Sequence, residues 1–493
     1  MYNAKIPHGA WTFFDFMVGW NKLHMIGIGG IGMSALANLC KRKNLCIQGS
    51  DEKCSGYVID SLRASGVHVF TGHESGRIDK DIDVIVVSSA IDKDNPEISD
   101  ALRLGIPVIH RSDLLKKILS GYNVIAISGT HGKTTTTSLM GHVLDCAGLD
   151  PTILSGGIME RYKSNVRVGS SKWAVVEADE SDKSLLNFEK ISYSIVTNIE
   201  PEHMENYDNC FENVKRTCKE FLEKATVASI SCNDDPCARS VLESTSQTAT
   251  GSSISYGIAV GSDVEAKNIV YSKKGTRFDI FFRKSQETWP DIDVGLYGEH
   301  NVLNALSVVA TAKSIGIEYD CVKLALAQFR GVGRRMTVLG LSDNLLFVDD
   351  YAHHPTEVRA VISSLRQKEP ENKLLAVFQP HRYSRLKNNL DEFALELSKA
   401  DDIILLPVYS AGEAEIARVN SFELWKRLRS IGKNSLILEK QTNNVLRLHD
   451  AILDITSSSS NQKYTVAFLG AGDVSETGRS VAMSFINRPP LNT

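Results

Sequence analysis

The chain has 493 residues, enough for two to four domains that each bury a core of their own. Its 55 lysines and arginines against 59 aspartates and glutamates leave a formal charge of -4, with no long basic run, so neither nucleic acid nor an anionic membrane surface is an expected partner. No stretch approaches the roughly 20 consecutive apolar residues that a membrane-spanning helix needs.

The first 22 residues are rich in aromatic side chains but lack the basic start and clean apolar core of a signal peptide. We expect them to form an N-terminal extension that packs on the first domain or is loosely ordered. The nine cysteines are scattered without a C-x-x-C pair, which predicts reduced thiols rather than disulfides or a structural zinc site. Both observations favour a cytoplasmic protein.

The first strong motif is a glycine-rich turn. An apolar run at 23–26 leads into a G-x-G-x-x-G pattern made by Gly27, Gly29 and Gly32, and Asp51 follows Gly32 by 19 positions at the end of the next predicted strand. Such glycines let the backbone approach a pyrophosphate, and the acidic residue reaches a ribose hydroxyl. A nicotinamide dinucleotide and a UDP-sugar both carry these groups, and a tight turn without any ligand is the third alternative.

A second turn, at 129–134, is the most informative feature of the chain. It follows an apolar run at 124–127 and reads Gly-Thr-His-Gly-Lys-Thr before a predicted helix. Backbone N–H groups and a helix N-terminus then converge on one point, which suits a phosphate. Lys133 would reach the β- and γ-phosphates and Thr134 would ligate Mg²⁺, so the motif predicts ATP binding. The pattern is shorter than the usual phosphate loop, since Ile127 stands where the first glycine would be.

Two further predicted strands end in groups that bind metals. A strand at 173–176 runs into a series of acids, of which Glu177 is the first and the predicted Mg²⁺ ligand. A strand at 195–199 precedes His203, which would ligate a second metal ion or contact the γ-phosphate. Ligands gather at the carboxyl edge of parallel sheets, although a histidine at a strand end is also commonly a plain surface or core side chain.

The last third of the chain repeats the alternation of strands and helices, which predicts another parallel α/β domain. His300 and Asn301 open a long helical stretch and would hydrogen-bond a nucleotide or cap the helix. A strand at 374–378 leads to Arg382 and Arg385, which could pair with a carboxylate in bidentate fashion or form surface salt bridges of little energetic value.

Taken in order, the motifs of this chain resemble those of the Mur ligases of peptidoglycan synthesis, from about Leu23 to about Val474. The short phosphate loop is that family's own form. The resemblance rests on the runs Gly27–Ser34, Gly129–Thr136, Glu177–Asp182, Gly298–Asn304, Asp349–Pro355 and Gln379–Arg385.

The resemblance implies an α/β protein of three domains. After the extension at 1–22, a Rossmann-like N-terminal domain at 23–120 would bind a UDP-sugar. A central ATPase of the P-loop type with a mainly parallel sheet would span 121–330. A Rossmann-like C-terminal domain at 331–493 would bind the amino acid.

The resemblance also assigns roles to individual residues. Catalysis would depend on Lys133, Glu177, His203 and Arg382, and metal binding on Thr134, Glu177 and His203. The UDP-sugar would contact Gly27, Gly29, Gly30, Ile31, Gly32 and Asp51. ATP would contact Gly129, Thr130, His131, Gly132, Lys133, Thr134, Thr135, His300, Asn301, Arg334 and Asp350, and the amino acid would contact Tyr351, His381 and Arg382.

The reaction implied is the ATP-dependent joining of L-alanine to the lactyl carboxylate of UDP-N-acetylmuramate. An acyl phosphate would be the intermediate, and ATP with Mg²⁺, in two ions, would be required. We expect small-molecule partners only, a monomer or weak homodimer, and a bacterial cytoplasmic location. One residue departs from the family, since Glu202 stands where an aspartate usually precedes the metal-linked histidine.

Three alternatives stay open on the sequence. A nicotinamide-dependent oxidoreductase would explain the first glycine turn but not Lys133 or the acids after 176. A nucleotide-binding scaffold would keep the fold without ligating. A related ligase attaches whole peptides to the same sugar nucleotide, and the intact run at 27–32 together with Tyr351 favours the single-amino-acid enzyme over it. Selectivity among L-alanine, glycine and L-serine is left open.

Overall fold

The computed structural model describes residues 20–52, 56–181, 183–188, 190–245, 251–439, 444–457 and 462–487. Most of the aromatic extension, residues 1–19, lies outside that part. The chain forms two compact units, one made of residues up to Glu265 with Leu306–Ala325, and one made of Ala266–Ala305 with the residues from Leu326 onward.

The N-terminal part of the first unit forms a parallel sheet of five strands. The strand order is β3-β2-β1-β4-β5, with every neighbouring pair parallel. The chain reverses direction along the sheet at β1, and the loop after such a strand is where open α/β sheets bind ligands. The strands are β1 (Lys22–Ile26), β2 (Cys46–Asp51), β3 (His68–Thr71), β4 (Val84–Val87) and β5 (Val108–His110), and the helices are Ile31–Arg42, Tyr57–Ala64, Pro96–Leu104 and Arg111–Ile118.

The second sheet of the first unit has the order β12-β11-β10-β6-β9-β7-β8. Its neighbouring pairs are parallel except β7 with β8. The strands are β6 (Asn123–Ser128), β7 (Thr152–Met159), β8 (Ser164–Arg167), β9 (Trp173–Glu177), β10 (Ile191–Val196), β11 (Ala225–Cys232) and β12 (Ser252–Gly257). The α-helices are Lys133–Cys146, Phe211–Leu222 and Pro236–Ser244, and short 3₁₀ helices cover Ser184–Asn187 and Met204–Tyr207.

The position of β6 between β9 and β10 explains how the site is assembled. The interior of β6, residues 124–127, is buried on both faces, as its continuous apolar sequence predicts. Because the three strands are parallel, the loops that follow them leave the sheet at the same edge. Glu177 and the residues after β10 are therefore brought beside the turn at 129–134.

The predicted strand at 195–199 is wrong in its bounds, because β10 covers Ile191–Val196. Thr197 and Asn198 leave the ladder and hydrogen-bond the phosphate-loop backbone instead. Their polar side chains satisfy loop groups that would otherwise lack partners, and this competes with continuation of the strand.

The second unit contains two groups of strands. The first group is β13 (Val264–Ser272, whose first two residues belong to the first unit), β14 (Gly275–Phe282) and β15 (Glu287–Val294), neighbours in that order, with β14 and β15 antiparallel. The second is a sheet of order β16-β17-β21-β18-β19-β20, parallel except for β16 with β17. Its strands are β16 (Thr337–Ser342), β17 (Leu345–Asp350), β18 (Lys373–Phe378), β19 (Asp402–Leu405), β20 (Leu436–Ile437) and β21 (Tyr464–Leu469).

In the part of the chain that the structure describes, six helices lie in the second unit and two more contribute residues to both units. The six are Pro355–Lys368, Tyr383–Asn388, Leu390–Leu397, Ser421–Ser430, Asn444–Thr456 and Val474–Ile486; the shared ones are Glu299–Ile315 and Tyr319–Gln328. Among the described residues, no helix combines the length and apolar composition that crossing a bilayer requires. The predicted α/β class, with its Rossmann-like first and last sheets and a mainly parallel central sheet, is confirmed, while the domain boundaries stay a prediction.

Candidate active site

The turn at 129–134 has the backbone geometry of a phosphate loop. Gly129 and Gly132 have φ values of +125° and +84°, which L side chains rarely adopt. A side chain at Gly129 would also lie 2.9 Å from backbone atoms of Thr197 and Asn198. Asn198 fixes the loop, because its Oδ1 accepts from the His131 N–H at 2.7 Å and its Nδ2 donates to the His131 carbonyl at 3.0 Å. The sequence analysis did not identify Asn198. The available indication was its position just after β10, a strand of the same sheet.

Lys133 is the first residue of the helix that follows, and its side chain folds back over the loop. Its Nζ donates to two loop carbonyl oxygens, at 2.6 and 3.1 Å, and to Glu180 Oε1 at 2.9 Å. Burial opposes the Lys133 charge, but the carboxylates of Glu180, Asp179 and Glu177 outweigh burial and raise the pKa of Lys133. The lysine is therefore a fixed positive charge beside the loop amides.

Glu180 is the buried partner of this lysine. Burial raises the pKa of Glu180 to about 7, and the Lys133 charge acts against that rise. The sequence analysis gave no role to the acids that follow Glu177, whereas Glu180 is only 6% exposed. An acidic run offers no sequence signal that separates the buried carboxylate from its exposed neighbours.

Thr134 and Glu177 form a pair of oxygen donors beside the loop. The Thr134 hydroxyl lies 3.0 and 3.1 Å from the two carboxylate oxygens of Glu177, and the Gly156 N–H donates to that carboxylate at 2.7 Å. Hydroxyl and carboxylate oxygens are the donors that Mg²⁺ prefers next to phosphates. The residues present therefore fit a magnesium ion shared with a bound nucleotide.

His203 lies at the start of the 3₁₀ helix Met204–Tyr207 with a φ of +54°. Its ring nitrogens are 3.8 Å from Glu202 and 3.9 Å from Glu205. The longer side chain of Glu202 thus faces the histidine that it precedes. A metal-binding role for His203 stays a prediction.

The first glycine turn has the geometry of a pyrophosphate-binding loop. The Gly27 and Ile28 amides donate to the Ser50 carbonyl at 2.8 and 3.0 Å, and Gly27 has a φ of +75°. The Gly29 N–H donates to Asp51 Oδ2 at 2.8 Å, so the acidic residue is fixed against the turn. Gly30 and Ile31 are exposed where the helix Ile31–Arg42 begins. The contact of each of these residues with a UDP-sugar stays a prediction.

One cavity of about 220 Å³ lies beside the end of the first glycine turn and is also lined by Glu177, the residue that contacts Thr134 of the phosphate loop. Its lining includes Ile31 and Gly32, which follow the first sheet's β1, and Gly156 and Glu177 from strands of the second sheet. Arg111 lines it as well, directly after β5, and its guanidinium lies 3.4 Å from Asp179. Arg111 was missed from the sequence, although a charged residue at the carboxyl end of a parallel strand was the available signal.

In the second unit, predicted amino-acid and nucleotide residues meet around one aromatic ring. The guanidinium carbons of Arg334 and Arg335 lie 4.8 and 5.3 Å from the centre of the Tyr351 ring. His353 meets Tyr351 edge-on with ring centres 5.1 Å apart, and His381 follows at 5.8 Å from His353. The arrangement places two guanidinium groups at one aromatic ring, and a guanidinium is the side chain that best matches a small carboxylate.

His381 and Arg382 are held by the loop after β19. The His381 ring stacks on Tyr409 with centres 5.5 Å apart, and the Arg382 N–H donates to the Tyr409 carbonyl at 2.8 Å. Arg382 has a φ of +68°, an uncommon conformation for a residue other than glycine and one that clusters at functional sites. Burial, and then the positive charges of His353 and Arg385, lower the pKa of His381 to about 3.

Asp350 ends β17 and is buried. Its carboxylate accepts from the Met336 N–H at 2.7 Å and the Ala352 N–H at 2.8 Å, while burial raises its pKa to about 6. Arg334 donates to the Gly470 carbonyl at 2.6 Å. Both residues therefore organise the loops after β17 and β21, and nucleotide contact stays a prediction for each.

His300 and Asn301 lie together at the start of the helix Glu299–Ile315. Asn301 Nδ2 donates to the Tyr297 carbonyl at 2.7 Å and lies 3.0 Å from His300 Nε2. The asparagine therefore donates to a carbonyl of the preceding turn, whereas helix capping needs a side-chain oxygen that accepts a backbone N–H, so the capping alternative also stays a prediction. Nucleotide contact by this pair stays a prediction.

The cysteines that the structure describes agree with the predicted reduced state. Eight of the nine, all within the described residues, are free thiols. Burial raises the pKa of Cys40, Cys218 and Cys232 to about 12. These thiols are core side chains rather than reactive groups.

Three family models match this chain in succession. They are described as the catalytic domain of the Mur ligase family at residues 22–123, the Mur ligase middle domain at 127–312, and the Mur ligase glutamate ligase domain at 334–472.

Curated relatives match over nearly the full length. The chain is 39% identical over 468 residues to a UDP-N-acetylmuramate–L-alanine ligase of Maricaulis maris, covering 94% of this chain and 96% of that protein. It is 38% identical over 467 residues to the protein of the same name from Hydrogenovibrio crunogenus, covering 93% and 97%.

Solved structures share the fold. A crystal structure of UDP-N-acetylmuramate-alanine ligase from Thermotoga maritima superposes with a TM-score of 0.79 at 28% identity, covering 94% of this chain and 99% of that one. A murein peptide ligase from Psychrobacter arcticus superposes with a TM-score of 0.67 at 21% identity, covering 95% and 100%, and at that identity shows the fold alone.

Proposed function

This chain belongs to the Mur ligase family, and we propose that it joins L-alanine to the lactyl carboxylate of UDP-N-acetylmuramate while ATP becomes ADP and phosphate. The observation that carries the proposal is the single cavity lined by Gly32 of one glycine turn and Glu177 beside the phosphate loop. A sugar nucleotide on the first turn would place its acid in this cavity, next to the Glu177 carboxylate that contacts Thr134 of the phosphate loop. Residues 23–120 hold the sugar nucleotide, 121–330 ATP, and 331–493 the amino acid.

The first chemical step is attack of the substrate carboxylate on the γ-phosphorus of ATP. The bond from phosphorus to the bridging oxygen breaks, ADP leaves, and an acyl phosphate forms. Two anions must approach each other, so the step depends on positioning and on positive charge around the phosphates. Lys133 and the loop amides supply that charge from this chain, and a magnesium ion held by Thr134 and Glu177 would neutralise phosphate oxygens further.

The second step forms the amide bond. The free amine of L-alanine attacks the acyl carbon, phosphate leaves with its electron pair, and the amine proton passes to solvent or to the departing phosphate. Arg382 binds the alanine carboxylate through its guanidinium, which matches a carboxylate in bidentate fashion. Tyr351 and the uncharged ring of His381 complete this subsite and leave the cationic charge to the arginines.

The alternatives explain less of the molecule. An oxidoreductase would not need the phosphate loop with its buried Lys133 or the Thr134–Glu177 pair. A scaffold that does not ligate would not need a cavity lined by both Gly32 and Glu177. The peptide-attaching ligase shares the fold at 21% identity, whereas full-length relatives at 38–39% identity carry the single-amino-acid name.

A defined mixture tests the proposal. Purified protein is incubated with ATP, Mg²⁺, UDP-N-acetylmuramate and one of L-alanine, glycine, L-serine or the murein tripeptide, and products are identified by mass. We expect UDP-N-acetylmuramoyl-L-alanine, with phosphate release that requires both the sugar nucleotide and the amino acid. Product with the tripeptide alone, or phosphate release without ligation, would contradict the proposal.

A further inference from the structure

Arg111 lines the cavity that also contains Gly32 of the first glycine turn and Glu177 and Asp179 of the acidic run. It begins the helix Arg111–Ile118 directly after β5. One of its terminal nitrogens lies 2.8 Å from the point where a β-carbon on Gly32 would stand, and the other lies 3.4 Å from Asp179 Oδ2. The guanidinium therefore reaches from the sugar-nucleotide turn to the acidic run that begins at Glu177.

The carboxylates around that guanidinium would repel the substrate's acid unless a positive charge lies beside them. The substrate carboxylate must enter a region that already holds the carboxylates of Glu177 and Asp179. Like charges at such short range oppose entry. Arg111 is only 24% exposed at its side chain, so solvent screens its charge less than that of a surface arginine.

We propose that Arg111 binds the lactyl carboxylate of the sugar nucleotide and that Asp179 holds the guanidinium in position until the substrate replaces it. This rests on the proposed function, since it names the residue that receives the acid of that substrate. The contact between Arg111 and Asp179 is of the same kind, because the Asp179 carboxylate accepts from Arg111 Nη2. Gly32 has no side chain, and this leaves the guanidinium the space to lie there.

Carboxylate binding by Arg111 can be distinguished from pyrophosphate binding with two sugar nucleotides that differ only in the lactyl group. UDP-N-acetylglucosamine has the same uridine, pyrophosphate and amino sugar as the substrate but no lactyl group. Calorimetric titration of the full chain, without ATP or metal, measures the Kd of each ligand and of UDP. The variants are Arg111→Gln and Arg111→Lys, and the matched control is Arg103→Gln, since Arg103 forms an Asp pair in the same domain but is 73% exposed.

We expect Arg111→Gln to weaken UDP-N-acetylmuramate binding by about 10- to 100-fold, in the range of a hydrogen-bonded charge pair, with UDP-N-acetylglucosamine and UDP changed less than about twofold. Arg111→Lys keeps the positive charge but loses the planar guanidinium that pairs with a carboxylate in bidentate fashion. Its affinity for UDP-N-acetylmuramate should therefore lie between those of the wild type and Arg111→Gln. Arg103→Gln leaves all three affinities as they are. Asp179→Asn, which removes the resting partner, tightens UDP-N-acetylmuramate binding.

Equal loss for all the uridine nucleotides would overturn the proposal, because Arg111 would then serve the pyrophosphate. An unchanged Kd for UDP-N-acetylmuramate in Arg111→Gln would overturn it as well. Arg111→Lys provides a second route if Arg111→Gln does not fold, because it keeps the charge but loses the planar guanidinium and must weaken the same ligand selectively. If the wild-type chain ligates while these variants bind normally, the inference fails and the proposed function stands.

Discussion

The Lys133 ammonium lies 2.9 Å from both carboxylate oxygens of Glu180. This pair sits beside the loop amides, where the phosphates of ATP would bind. A carboxylate that holds the phosphate-loop lysine competes with those phosphates for its charge. Glu180 is therefore expected to limit ATP affinity rather than to increase it.

Replacing Glu180 with glutamine should lower the Kd of ATP by about 10- to 100-fold, because loss of one charge-assisted contact of about 1.5–3 kcal/mol releases Lys133 for the phosphates. Equilibrium titration with a fluorescent ATP analogue measures the change. Glu212→Gln is the control, since the Glu212 side chain is 74% exposed. A weaker affinity in Glu180→Gln would show that the carboxylate positions the lysine for ATP instead.

The Thr134–Glu177 pair predicts a specific metal dependence. Thr134→Ala and Glu177→Gln should each raise the Mg²⁺ concentration that gives half-maximal ligation by at least about tenfold. Loss of a residue that only hydrogen-bonds a metal ligand already lowers metal affinity by about that factor, and loss of a direct ligand should lower it at least as much. Thr134→Ser keeps the hydroxyl and should behave like the wild type. A Mg²⁺ dependence that is unchanged in both disabling variants would remove this pair from the metal site.

The guanidinium of Arg382 predicts an effect confined to the amino acid. Arg382→Ala should raise the KM for L-alanine by about 10- to 100-fold, as expected for a lost bidentate pair with a carboxylate. The KM for ATP should stay close to that of the wild type, and Arg382→Lys should be intermediate. Arg429→Ala, on an exposed helix end, serves as the control. Equal changes in both KM values would argue against a carboxylate contact.

The environment of His381 predicts that its ring stays uncharged at working pH. Burial and neighbouring cations lower its pKa to about 3 in the folded protein, against about 6.5 when unfolded. The unfolded state then binds more protons between those values, so this residue makes the protein less stable as pH falls from about 6.5 towards 3.

NMR of protein labelled in its histidine rings measures this charge state directly. The ring signal that disappears in His381→Asn should keep its neutral position from pH 8 to pH 5, while exposed histidines titrate. A titration midpoint near the ordinary value would show that the ring is not shielded in this way.

Much of the fold follows from local sequence. Residues 124–127 form a short, continuous apolar run that is followed by Ser128 and Gly129, and a run of this length before a glycine favours a buried strand with a turn after it. The glycines at 129 and 132 reflect a requirement for positive φ, which is a property of single residues. Both features therefore identify a phosphate loop without knowledge of its neighbours.

Other parts of the site depend on contacts that the sequence does not record. Asn198 reaches the phosphate loop across nearly seventy residues because β10 pairs with β6, and no local pattern reveals that pairing. Glu177 and Glu180 are both acids of one short run, but only the folded chain directs one to Thr134 and the other to Lys133. Arg111 acquires its place in the cavity in the same way, from the packing of two domains.

The most direct test of the account follows one oxygen atom. UDP-N-acetylmuramate labelled with ¹⁸O in its lactyl carboxylate is ligated to L-alanine with ATP and Mg²⁺, and the released phosphate is analysed by mass, with Lys133→Ala as the inactive comparison. The account predicts one labelled oxygen in each phosphate released by the wild type, because the carboxylate oxygen attacks phosphorus and leaves with it. Product formation with unlabelled phosphate would contradict it, as would labelled phosphate formed at the wild-type rate by Lys133→Ala.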